Sequence, residues 1–112
     1  METTNLFEKL VSHEYLNLHF QLYTSCYFGI IDNVMLLLKA KTSVHGNNIN
    51  NSPLFVACME GHKHVVELLL QYKANIFHKN YESQKSCLQI SIEKNHPKIT
   101  QILQKYMNED KN

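Results

Sequence analysis

The chain has 112 residues and a mass of 13.1 kDa, the size of one domain. Its 44% hydrophobic and 19% charged residues and net charge of +1 fit a globular fold and exclude a disordered polyelectrolyte; no apolar run approaches the ~18 residues that a bilayer span needs. All eleven basic residues are lysines scattered along the chain, with no arginine to read guanine or phosphate bidentately, so no nucleic-acid partner is expected.

In chain order, residues 1–19 form the first predicted unit, an N-terminal capping helix. Asn5 and Glu8 have capping-pair spacing, and Leu6, Phe7, Leu10, Val11 and Tyr15 recur at three- and four-residue intervals. The polar side of that segment has no lysine cluster, so a lid over the next unit is preferred to a membrane anchor. The opening Met1-Glu2-Thr3-Thr4-Asn5 lacks the basic start and apolar core of a secretion signal. Three cysteines cannot all pair, and their spacings match no zinc motif, which points to a reduced, intracellular setting, cytoplasmic and/or nuclear.

Three copies of one pattern follow. The first, residues 20–51, places Leu22, Cys26, Gly29, Val34 and Leu36-Leu37-Leu38 32 positions before Leu54, Cys58, Gly61, Val66 and Leu68-Leu69-Leu70 of the second, residues 52–85. In the third, residues 86–107, Ser86, Leu88, Ile90, His96, Ile99, Ile102 and Leu103 recur at an offset of 34. Within the second copy, Ser52 suits an N-cap and Pro53 the first helical position. Leu54, Ala57 and Cys58 make one apolar face, and Gly61 supplies a left-handed stop. The helix after it, with Val65, Val66, Leu68, Leu69 and Leu70, is too apolar for one buried side, so it is expected to be covered by its partner helix and by the next copy. Thr100, Gln101 and Gln104 make the last copy's second helix more polar, as a terminal unit requires, and residues 108–112 are expected to form a frayed polar tail.

Ser52-Pro53-Leu54-Phe55-Val56-Ala57, Gly61-His62, the Val65–Leu70 run and Ala74-Asn75 together resemble the ankyrin-repeat family over roughly residues 20–106. The resemblance implies an all-α fold, an ankyrin-repeat solenoid of stacked helix-turn-helix units with hairpin-like loops. Tyr23, Phe55 and Gln89 stand where the family usually has histidine, so the histidine's bond to the capping hydroxyl is expected to be absent or altered. Lys41 and Lys73 replace a helix-ending glycine, and Phe20-Gln21 replaces the Ser-Pro start of the first copy.

Catalytic chemistry finds no support in the residues. His62 and His64 lie two apart, unlike the i, i+4 pair of a helical zinc site. Asp32 and Asp110 are distant, and three glycines build no phosphate-cradling loop. No enzyme activity, cofactor or metal is expected. Cys26 and Cys58 read as small buried fillers, whereas Cys87, at a helix start near the surface, offers a reactive thiol.

Binding remains. In the family a groove forms from the hairpin tips and the exposed side of the first helices, which implies as contact residues Tyr27 and Phe28, Met59 and Glu60, and Glu93 and Lys94, each pair lying just before a turn. Tip residues His45, Asn47, Asn48, His78, Asn80 and Tyr81 are further candidates. The expected function is a non-enzymatic protein–protein interaction module, an adaptor or inhibitor that binds a partner protein through the concave groove. Lysine- and asparagine-rich composition suggests an A+T-rich source and extends this to a viral or pathogen factor acting on a host regulator. A monomer without membrane association is expected. The alternatives are a structural homo-oligomer using the Tyr27/Phe28 patch, which also suits covering the lid, and a redox-responsive protein using Cys87.

Overall fold

The computed structural model describes residues 18–46 and 52–110, apart from the Asp110 side chain. The predicted helix over 5–16 and the tip residues Asn47 and Asn48 lie outside them. Helix α1 covers residues 18–28 and is followed by α2 (Ile31–Lys39), α3 (Pro53–Glu60), α4 (Lys63–Gln71), α5 (Cys87–Glu93) and α6 (Pro97–Asp110). Besides α-helices, the described residues hold one isolated antiparallel bridge, Lys79 to Ser86.

Each copy is a helix pair closed by the same turn. The amide of Ile30 donates to Ser25, that of His62 to Ala57 and that of His96 to Ser91, at 2.8–3.0 Å. The residue before each of these donors has positive φ: Gly29 at 73°, Gly61 at 80° and Asn95 at 59°. Glycine has no Cβ to clash there, and asparagine is among the residues that tolerate it best. The second helices end in a similar closure, Thr42 donating to Leu37 and Ala74 to Leu69. It forces Lys41 and Lys73 to φ of 67° and 69°, so both lysines do adopt the conformation of the glycine they replace.

Local capping explains where two of the first helices start. Ser52 Oγ accepts from the Phe55 amide at 3.0 Å ahead of Pro53, an arrangement that stabilises a helix by about 1 kcal/mol. In the third copy Gln89 does more than fill the histidine slot. Its Oε1 accepts from the Ser86 amide at 2.8 Å while the Gln89 amide donates to Ser86 Oγ at 3.1 Å, a reciprocal capping box. Phe55 in the same slot is instead buried in the core. The first copy has no such stop: α1 is already helical at Leu18, two residues before the Phe20 slot, because Phe20 has no side-chain acceptor to end the ladder. At the other end α6 continues through Glu109 to Asp110, into the residues that composition marks as tail.

Stacking builds one core. α3 packs on α4 and α5, α5 on α6, and α4 lies between α2 and α6. Leu22, Cys26, Val34, Leu54, Val56, Cys58, Val66, Leu69, Ile99 and Leu103 are buried in a single cluster that runs through all three copies. Equivalent positions differ in cover. Leu36 is 67% exposed, while its counterpart Leu68 is 8% exposed. Ile92 is 59% exposed, while Cys58 in the same slot, beside a following copy, is wholly covered.

Candidate functional site

The paired residues at the ends of the first helices come from equivalent places in three successive copies. Tyr27 and Phe28 close α1, Met59 and Glu60 close α3, and Glu93 closes α5 with Lys94 as its C-cap. Their environments differ. Phe28 is 66% exposed, and its ring meets the Tyr27 ring edge-on at a centroid distance of 4.9 Å. Met59 is partly buried against the core, and its carbonyl accepts a bond from His96 Nε2 at 3.1 Å. Because a carbonyl has only lone pairs, Nε2 carries the ring proton. Glu60 is exposed. Glu93 is paired with Lys85 Nζ, which holds its carboxyl below the usual carboxylate range, and Lys94 is exposed.

The hairpin between the second and third copies presents its side chains on a fixed frame. Asn80 is buried, and its Oδ1 accepts from the Glu82 amide, the Ser83 amide and Ser83 Oγ at 2.8–3.1 Å. The Asn80 amide donates to the Lys85 carbonyl, and Gln84, at φ 58°, closes the turn back onto Asn80. The Asn80 Oδ1 is thus taken up by the turn it holds. At the apex Tyr81 is 77% exposed, its carbonyl tied to Gln84 Nε2. His45 and His78 come together at a recess of about 340 Å³ that Ser52, Leu54, Ala74 and Asn75 also line.

Phe77 and Ile92 are among the large exposed side chains that sequence reasoning did not single out. Phe77 is 60% exposed next to buried Ile76, in a turn where the Phe77 amide donates to Asn75 Oδ1 at 3.0 Å; the asparagine opening that turn is the signal in the sequence. Ile92 lies in the slot of buried Cys58, and only the terminal position of its copy exposes it.

Cys87 requires a correction. Far from lying near the surface, it is wholly buried, because α3 packs over the start of α5. An accessible reactive thiol is therefore absent at this position. Cys26 and Cys58 are equally buried, as small fillers should be.

The pattern of turns, caps and stacked pairs finds its match in a family model. The model for ankyrin repeats (3 copies) matches residues 3–80 and again residues 22–112. The chain belongs to the ankyrin-repeat family. Its repeats form a helix-turn-helix solenoid, and ankyrin repeats generally act as protein–protein interaction modules. No curated protein matches the chain. No helix among the described residues is long and apolar enough to cross a membrane, and none of them form a cluster of three or more metal-binding side chains.

Proposed function

We propose that this ankyrin-repeat protein is a non-enzymatic adaptor or inhibitor that holds a partner protein against the ends of its first helices and its hairpin tip. The observation that carries the reading is a pair of exposed aromatic side chains, Phe28 at the end of α1 and Tyr81 on a hairpin closed by Asn80 and Gln84. Aromatic anchors contribute large contact area at low entropic cost, and a frame fixed before binding reduces the ordering that association requires. Glu60, Glu93 and Lys94 add exposed charge at the ends of α3 and α5. Partners commonly bury about 800 Å² per side, a scale that three repeats can supply.

Affinity capture with the wild type against Phe28→Ala combined with Tyr81→Ala tests the assignment. The variant is expected to retain its fold, since both residues are exposed, and to lose most of the captured partner. Equal recovery by both forms would show that these residues are not the footprint. Light scattering on the same samples separates this reading from a homo-oligomer built on the Tyr27/Phe28 patch, which requires a dimer in the wild type and a monomer in the variant.

A further inference from the structure

One recess between the first two repeats is lined by polar side chains whose acceptors are taken and whose hydrogens are free. It measures about 340 Å³ and lies between the segment after α2 (Val44, His45), the start of α3 (Ser52, Leu54) and the segment after α4 (Ala74, Asn75, His78). Ser52 Oγ already accepts from the Phe55 amide at 3.0 Å, which leaves its O–H to donate. Asn75 Oδ1 already accepts from the Phe77 amide at 3.0 Å, which leaves its NH2 to donate. His78 is partly exposed, but its Nε2 is buried with no hydrogen-bond partner among the described residues. A proton there would make a buried, unpaired N–H, a group that folded chains avoid, so the ring proton belongs on Nδ1. His78 thus keeps an N–H donor at its other ring nitrogen, and exposed His45 brings a second imidazole to the recess. Among the described residues no aspartate or glutamate lines it, and Val44, Leu54 and Ala74 supply an apolar wall.

We propose that this recess binds a carboxylate on a short apolar stem, supplied by a glutamate side chain of a bound protein or by a free small acid. Ser52, Asn75, His45 and His78 together form a donor set without a competing anion. A carboxylate is acceptor-only and offers about four lone-pair sites, so it can take hydrogen bonds from several of these groups at once. Bonds to a charged acceptor are roughly twice as strong as neutral ones, which favours a carboxylate over a carboxamide of the same shape. A carboxamide would also turn its own NH2 toward groups that have only hydrogens to give. The methylenes of the stem fit the wall of Val44, Leu54 and Ala74. Phe28 and Tyr81 do not line the recess, so this site and the aromatic footprint proposed above can fail independently.

The test is an NMR titration of the full chain with labelled histidine rings, at constant neutral pH and ionic strength. The probes are butyrate, glutamate blocked at both ends as amides, and the equally blocked glutamine. Butyrate or blocked glutamate is expected to move the ring signals of His45 and His78 along a saturable curve, with blocked glutamine about tenfold weaker. Tighter binding of blocked glutamate assigns the carboxylate to a protein side chain; binding of butyrate at least as tight assigns it to a free acid. His45→Phe and His78→Phe keep a ring but remove its N–H, and each should weaken binding about three- to tenfold. Their urea midpoints report whether they fold, and His45→Phe, at an exposed position, carries the test alone if His78→Phe does not. Ring signals that fail to saturate with either carboxylate, equal affinity for blocked glutamine, or full affinity in the folded phenylalanine variants would overturn the proposal.

Discussion

His62 reaches from the second repeat into the first: its Nε2 lies 2.8 Å from the Tyr27 carbonyl oxygen, and its ring fills the space that a Cβ on Gly29 would occupy. His96 repeats the arrangement one unit later, at 3.1 Å from the Met59 carbonyl and over Gly61. Each histidine therefore bonds its repeat to the preceding one, and each glycine is needed for its positive φ and for the room it leaves. His62→Ala and His96→Ala are each expected to destabilise the chain by about 1 kcal/mol, the usual net value of one such bond. Gly61→Ala should cost more, about 1–2 kcal/mol from the left-handed backbone before the clash with the His96 ring is added. Urea unfolding measures all three; a neutral His96→Ala would deny the bond an energetic role.

Lys41 and Lys73 stand at φ of 67° and 69°. Relieving that strain with glycine gains about 1–2 kcal/mol, offset by roughly 0.4–1 kcal/mol of added freedom in the unfolded chain. Lys41→Gly and Lys73→Gly should each stabilise by about 0.5 kcal/mol. A lower urea midpoint in either variant would mean that the lysine stem contributes packing that outweighs its backbone strain.

Glu93 titrates below the usual carboxylate range because it accepts a hydrogen bond from Lys85 and feels its charge. A carboxyl depressed in the folded state adds stability above its unfolded value, near 4.3, and loses it as pH falls through the lower folded value. Both side chains are substantially exposed, so the contribution is small and salt-sensitive. Chemical-shift titration of Glu93 should show its midpoint returning to the ordinary range in Lys85→Met, while His62 and His96 keep their native shifts. An unchanged midpoint would remove Lys85 as the cause.

Burial pushes the Cys26 thiol up to about 12, and the neighbouring Cys87 thiol together with burial raises that of Cys58. Near pH 8 the native, reduced chain should therefore react with a thiol reagent far more slowly than after denaturation, when all three cysteines should titrate together. Fast native labelling of Cys87 would contradict its burial.

The repeat was legible because its signals are local. The Ser52 cap, Pro53, the Gly61 turn and the Val65–Leu70 run each report a backbone conformation or a buried face within one copy, and the structure places all of them as the pattern requires. Gln89 was legible as a departure but not as a capping partner, since that role needed its rotamer on Ser86. Asn80 and Tyr81 looked alike as tip residues; hydrogen bonding sends one carboxamide inward and leaves one ring in solvent.

By itself, the amino-acid order determined the period, the turn positions and the family, because helix periodicity and left-handed stops depend on neighbours in the chain. Tertiary structure alone decided which equivalent residues are covered. Cys58 and Ile92 share a slot, as do Leu68 and Leu36, yet one of each pair is buried and the other faces solvent. Burial in a solenoid depends on whether another repeat lies against that face, a condition that no single repeat's residues encode.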